Sequence, residues 1–185
     1  MGNSIHHTTD KNLLISDDGE SVALIADTVQ HHLHSYERWF GAQVTQAGPG
    51  SQNRLTGFRA TSSATANTFG TAIVVFDGTE TPTQAGMKYF DFHRIQTINA
   101  ENANKTYRIR FANSSHGQTS YADAVAAGAY SDVCVTLTNN ASQALPFILF
   151  SERMRSGTKV WAAIASADAV AQWVDFLIGI HEYEQ

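Results

Sequence analysis

Thr106-Tyr107-Arg108-Ile109-Arg110-Phe111-Ala112 alternates without a break between large apolar and charged or small side chains. A period of two puts Tyr107, Ile109 and Phe111 on one side of an extended chain and Arg108 and Arg110 on the other. That is the pattern of a strand with one buried face. Working outward, the same period recurs in both directions. Over 88–98, Phe90 and Phe92 share a side opposite Tyr89, Asp91 and His93. Over 71–77, Ile73-Val74-Val75-Phe76 forms a short apolar run closed by Asp77-Gly78, and 55–62 reads as a weaker strand. Toward the C-terminus four further strands are predicted, over 132–138, 145–153, 158–166 and 172–184. Asn139-Asn140 and Ser156-Gly157 supply turn chemistry between them. Pro146 assigns its strand a start or an edge position, because proline cannot donate to a ladder.

About eight strands at this spacing predict a mainly β protein, an antiparallel β-sandwich. A jelly-roll-like arrangement is the first expectation and another sandwich the second. Two helices are expected beside it. Val22, Ile25, Val29, Leu33, Tyr36 and Phe40 recur at three-and-four spacing, which predicts an N-terminal α-helix over 21–40 capped by Ser21 and stopped by Gly41. The Ala-rich stretch 119–129, ended by Gly128, predicts one short inserted helix. Residues 1–20 are polar apart from Leu13-Leu14-Ile15 and read as an N-terminal arm. Residues 21–185 read as a single β-sandwich domain.

The bulk composition narrows the functional classes. Of 185 residues, 43% are hydrophobic and only 16% charged, below the roughly 25% usual for globular domains. Thr, Ser, Asn, Gln and Ala take up the difference, a surface suited to lying against other proteins. The formal net charge of −5 argues against a general nucleic-acid binder, which needs a basic stripe to displace counterions. No apolar run approaches the ~20 residues that span a bilayer, so no membrane partner is expected. The first residues lack a basic segment followed by an apolar one, so synthesis without an export signal is expected. The single cysteine, Cys134, excludes an intrachain disulfide. Within Asp132-Val133-Cys134-Val135-Thr136-Leu137-Thr138 it reads as a small buried thiol.

No nucleophile elbow, phosphate-binding loop, His-Glu-x-x-His helix or zinc-spaced cysteine pair occurs, so no catalytic residue and no cofactor are assigned. On the expected helix, Asp27, His31 and His34 fall at i, i+4 and i+7. A carboxylate and two imidazoles on one face can grip a divalent metal, and equally can be the wet side of an amphipathic helix. If helices meet at a symmetry axis, His31 and His34 become interface groups instead. Leu13, Leu14, Ile15, His31, His34, Trp39 and Phe40 are the expected interface residues. Asp91 and His93 share a strand face, and His181, Glu182 and Glu184 end the chain. Such a pair becomes catalytic only if folding brings a serine or second carboxylate to it. Trp161, Trp173, Tyr89, Tyr107 and Tyr183 are expected mostly in the core, with any exposed ones serving as protein anchors or sugar platforms.

Three stretches taken together carry a family likeness. They are His31-His32-Leu33-His34-Ser35-Tyr36-Glu37-Arg38-Trp39-Phe40-Gly41, Lys88-Tyr89-Phe90-Asp91-Phe92-His93-Arg94, and Ser156-Gly157-Thr158-Lys159-Val160-Trp161 with Phe176-Leu177-Ile178-Gly179-Ile180-His181-Glu182-Tyr183-Glu184. The combination resembles small virion structural proteins of tailed bacteriophages and prophages. The resemblance implies a jelly-roll-type domain, a homo-oligomer (a trimer), and the major capsid or other virion proteins as partners. It places the protein in the virion after synthesis in a host bacterial cytoplasm. The expected role is that of a capsid decoration or cement protein, or a head-fibre base, without enzymatic activity. The alternatives are a glycan- or receptor-binding module of a phage fibre, and a metal-dependent enzyme on a jelly-roll scaffold.

Overall fold

A computed structural model describes residues 5–7, 13–16, 22–24, 38–44, 54–78, 86–102, 104–137 and 146–184. The chain divides into two compact units, Met1–Tyr36 and Glu37–Gln185. In the first unit, β1 (Ile5–His7), β2 (Leu13–Ser16) and β3 (Val22–Leu24) form an antiparallel meander, with Ile5 opposite Ser16 and Leu13 opposite Leu24.

The second unit contains two antiparallel sheets that share one core. The large sheet is centred on β9 (Tyr89–Ala100) and β15 (Trp173–Tyr183), the longest pairing among the described residues. The free edge of β15 is shared by β4 (Arg38–Phe40), which pairs with 178–180, and β7 (Phe58–Thr61), which pairs with 173–176. Between them the chain leaves the sheet as a hairpin of β5 (Ala42–Val44) and β6 (Arg54–Thr56). Gly57 brings it back. A Cβ there would lie 2.7 Å from the backbone nitrogen of Phe176, so only glycine allows the approach. The other edge of β9 is capped by two short strands, β12 (Phe147–Ile148) and β13 (Met154–Arg155).

The small sheet has the order β11 (Tyr130–Leu137), β10 (Lys105–Asn113), β14 (Val160–Ser166), β8 (Ile73–Phe76). Three pieces of chain run along one sheet, turn a corner and continue along the other: β7 into β8, β9 into β10, and β14 into β15. The alternation read in 106–112 is realised on its inner side, while on the outer side Arg110 and Ala112 are buried too, so the strand does not have a single buried face. Tyr107, Ile109 and Phe111 are buried inward and packed with Phe90, Phe92, Ile95, Phe176 and Ile178 from the large sheet. Aromatic edges lock the layers together, with Phe92–Phe111 and Phe111–Phe176 centroids 5.2 and 5.7 Å apart.

β9 stays in phase with the core through two bulges. Gly179 pairs with Arg94 and Ile180 with Phe92, leaving His93 as an extra residue; Ile98 is extra between Thr97 and Asn99. Phe90 and Phe92 therefore point inward before the first bulge, and Ile95 and Thr97 after it. Over the outer face of the small sheet lies α1 (Tyr121–Ala126). The side chain of Ser120 caps it by accepting from the Asp123 N–H at 3.1 Å, and Gly128 follows it at a φ of +73°. Ala124 and Ala129 pack there on Ala112 and Trp161, a second small core.

Two expectations need correcting. The helix over 21–40 is absent at both of its ends: 22–24 is strand β3 and 38–40 is strand β4, while 25–37 lie outside the described residues. Val22, Trp39 and Phe40 are strand-favouring residues, and pairing with β2 and β15 overrides the local helical spacing. Cys134 is exposed, not buried. The alternation of β11 turns Val135 and Leu137 inward and so turns Cys134 outward, where it pairs across from Arg108.

Candidate functional site

The corner between β7 and β8 builds a concave feature. Residues 62–72 strap across the sandwich edge and are pinned by backbone bonds. Ser62 N–H donates to Gln172 (2.8 Å), Asn67 N–H to Ser166 (2.7 Å) and Gly70 N–H to Ile164 (2.9 Å). The strap returns against its own beginning at Gly70, where a Cβ would lie 1.9 Å from the Thr61 carbonyl oxygen. A cleft of about 550 Å3 opens between its two arms. Arg59, Thr61, Ser62 and Ser63 line the outgoing arm; Phe69, Gly70, Thr71 and Ile73 line the returning one.

Arg59 is held in a fixed pose beside this cleft. Its Nε and Nη2 donate to the two carboxylate oxygens of Asp175 at 2.7 and 2.8 Å, and its guanidinium lies 4.0 Å from the Trp173 ring centroid. The Asp175 hydrogen bond raises the guanidinium's pKa further above its ordinary value. Ser62 Oγ accepts from the Gln172 N–H (3.0 Å) and Ser63 Oγ from the Thr65 N–H (3.1 Å).

Phe69 joins the cleft to the outer face of the small sheet. Its ring is covered by the guanidiniums of Arg110 (4.4 Å) and Arg108 (5.2 Å), and Arg110 also stacks at 3.9 Å on Tyr130. Both arginines converge on Asp132. Arg110 contributes bonds of 2.7 and 2.8 Å, and Arg108 bonds it through Nε and Nη2. Burial works to raise the Asp132 carboxyl, but the hydrogen bonds from Arg110 and Arg108 outweigh it and hold the group below its ordinary value. The alternating arginines of 106–112 thus form a stacked lattice, two cations on one carboxylate, that anchors one wall of the cleft.

On the outer face of the large sheet the fold gathers residues far apart in sequence. The Tyr183 hydroxyl donates to Asp91 at 2.6 Å, His181 Nδ1 lies 3.8 Å from the same carboxylate, and the His181 and His93 rings stack at 3.8 Å. Burial and the Asp91 bond push the Tyr183 hydroxyl well above the ordinary tyrosine range, so it keeps its proton at neutral pH. Ser151, on the neighbouring strip, is engaged elsewhere: its hydroxyl accepts from the Phe92 N–H (2.8 Å) and donates to the Glu152 carbonyl (3.1 Å). The cluster is a hydrogen-bonded post between β9 and β15.

Beside it, the strip that caps β9 exposes two large apolar side chains, Ile148 at 59% and Phe150 at 82%, with Leu149 buried between them. The period of two puts both on the same outward side.

Of the expected site residues, Asp27, His31 and His34 lie outside the described residues. Leu13, Leu14 and Ile15 form β2. Trp39 is half-buried in β4, and Phe40 packs on the core, edge to face with Phe76 at 5.4 Å. Asp91, His93 and His181 do come together. Among the described residues, no group of three or more His, Cys, Asp or Glu side chains is placed to hold a metal ion. The cleft was not foreseen: 59–73 carries no motif, and only its density of Ser, Thr and Gly marks it as a loop. Comparisons with protein-family models, curated proteins and solved structures find no match to this chain.

Proposed function

We propose that this protein is a non-enzymatic assembly module, a jelly-roll-type virion structural protein that self-associates as a trimer and docks on other particle proteins. Decoration of a phage capsid, or service as a head-fibre base, is the specific form of this reading. The family resemblance of three sequence stretches supports it. The observation that carries it is the outward pair Ile148 and Phe150 on the strip capping β9. A phenylalanine left this open costs contact with water and is a typical anchor for a partner surface. The weakly charged surface adds to this, because desolvating it against a neighbour is less costly than desolvating a charged one. Residues 1–20 would lie along the docking partner, with β1 and β2 kept paired as they do so.

The test is the native mass in solution followed by co-sedimentation with phage heads. The full chain is expected to run as a multimer, and Ile148→Ser with Phe150→Ser is expected to shift it toward monomer without loss of the β signal in circular dichroism. Removing residues 1–16 is expected to leave a folded protein that no longer sediments with particles. A full chain that is monomeric at tens of micromolar and stays in the supernatant overturns the reading.

A further inference from the structure

We infer that the cleft between the arms of the β7–β8 strap is a binding site for an uncharged saccharide. This inference stands apart from the assembly reading and uses none of its residues. The cleft volume of about 550 Å3 falls within the roughly 300–1,000 Å3 of small-molecule sites.

The chemistry of the lining selects the ligand class. Arg59 is the cleft's cation, and its charge is already matched by the two-pronged bond to Asp175. A phosphate, sulfate or carboxylate would have to compete with that carboxylate and would meet its repulsion. A neutral hydroxyl ligand does not. A guanidinium carries five N–H donors, and Asp175 engages two of them, so Arg59 keeps donors for a ligand oxygen without giving up its anchor. The remaining polar groups are hydroxyls. Those of Thr61 and Thr71 each offer one donor and two acceptor sites, the two-way capacity that a ring of sugar hydroxyls requires.

The opposite requirement, an apolar wall for the C–H face of a sugar ring, is met by Phe69. That ring does not need ordering on binding, because Arg110 and Arg108 already hold it from the lattice around Asp132. Arg59 is likewise pre-set by Asp175 and Trp173, and the strap itself by three backbone bonds to residues 164, 166 and 172. Polar fork and aromatic wall are therefore both held in place before a ligand arrives, which lowers the entropic cost of binding.

The test uses the full-length protein, saturation-transfer NMR of the ligand and methyl-detected NMR of the protein, with a fixed probe set. The set holds glucose, galactose, mannose and N-acetylglucosamine as free sugars, tetrasaccharides of glucose and of N-acetylglucosamine as chain segments, and sodium sulfate as the anion. At least one saccharide is expected to show saturation transfer and to shift the Thr61 and Thr71 methyl signals. Preference for a tetrasaccharide assigns a polysaccharide source, and preference for a monosaccharide a free sugar. Thr61→Val with Thr71→Val keeps shape while removing both hydroxyls, and is expected to weaken that binding about tenfold, the loss of two neutral hydrogen bonds. Phe69→Ala is expected to abolish it. Because Phe69→Ala also uncovers Arg110, the valine pair decides the matter. Three outcomes overturn the inference: no saccharide shifting either methyl, sulfate doing so in their place, or undiminished saccharide binding by the valine pair.

Discussion

Tyr183 shows how much a single side chain in this protein depends on residues that are distant in sequence. Its hydroxyl is bonded to Asp91, 92 positions away. Burial and that bond raise its pKa in the folded state. The stability it contributes is complete below the ordinary tyrosine value of about 10, and is lost as pH climbs from there through the raised folded value. Tyr183→Phe is therefore expected to cost about 1–2 kcal/mol at neutral pH and to flatten the alkaline fall in stability, read from denaturant midpoints between pH 8 and pH 11. An unchanged alkaline slope would place the titrating group elsewhere. Asp132 works in the opposite sense. Its carboxyl is depressed in the fold, so its share of stability is present above the unfolded value near 4 and is lost as pH falls through the folded one. At this scale the sequence is a fair guide to which way a side chain faces and a poor one to what it meets. The outward placing of Arg108 and Arg110 is legible from 106–112, but their stacking on Phe69 is not, because nothing local links residue 69 to residues 108 and 110.

Among the elements, β9 is the clearest case of a pattern that only pairing explains. After Phe92 the inward residues shift from even to odd numbers, which on a plain period of two would turn Ile95 and Thr97 to solvent. The bulge at His93 absorbs the shift, so the two sets of inward residues face one core. Deleting His93 would leave Arg94 directly opposite Gly179 in a regular ladder with Phe92, Ile95 and Thr97 still inward. Deleting Asp91 puts Phe90 and Phe92 next to each other, so one of them must leave the core. The first deletion is expected to keep a cooperative thermal transition at a cost of about 1–2 kcal/mol, and the second to cost more than about 3 kcal/mol. Calorimetry of the two deletions checks this, and equal losses would refute the assigned bulge. The short helix α1 was legible from its Ala-rich run and from Gly128, which follows it; its Ser120 cap came from the structure. The helix over 21–40 misread its own ends because three-and-four spacing over apolar residues is also compatible with short strands, and sheet partners decide between them.

At the scale of the whole molecule, the main-core residues described in the second unit all belong to Glu37–Gln185 and form one continuous cluster. That segment is therefore expected to fold without Met1–Tyr36, with a thermal midpoint within a few degrees of the full chain. A fragment giving no cooperative transition would mean that the first unit completes the fold. The sequence by itself determined that the chain is mainly β, where six of its core strands lie (73–76, 89–100, 105–113, 130–137, 160–166 and 173–183), and where the inserted helix sits, whereas the strand expected over 145–153 is only Phe147–Ile148 and that over 55–62 is broken at Gly57. Periodicity and turn residues carry that information because they act over a few neighbouring positions. Tertiary structure alone decided that β14 lies between β10 and β8, that β4 and β7 share one edge of β15, and that Asp91 meets Tyr183. It alone closed the strap of 62–72 into a cleft beside Arg59. Each of these depends on which distant segments bury surface together, a free energy of the assembled core that no short window of residues contains.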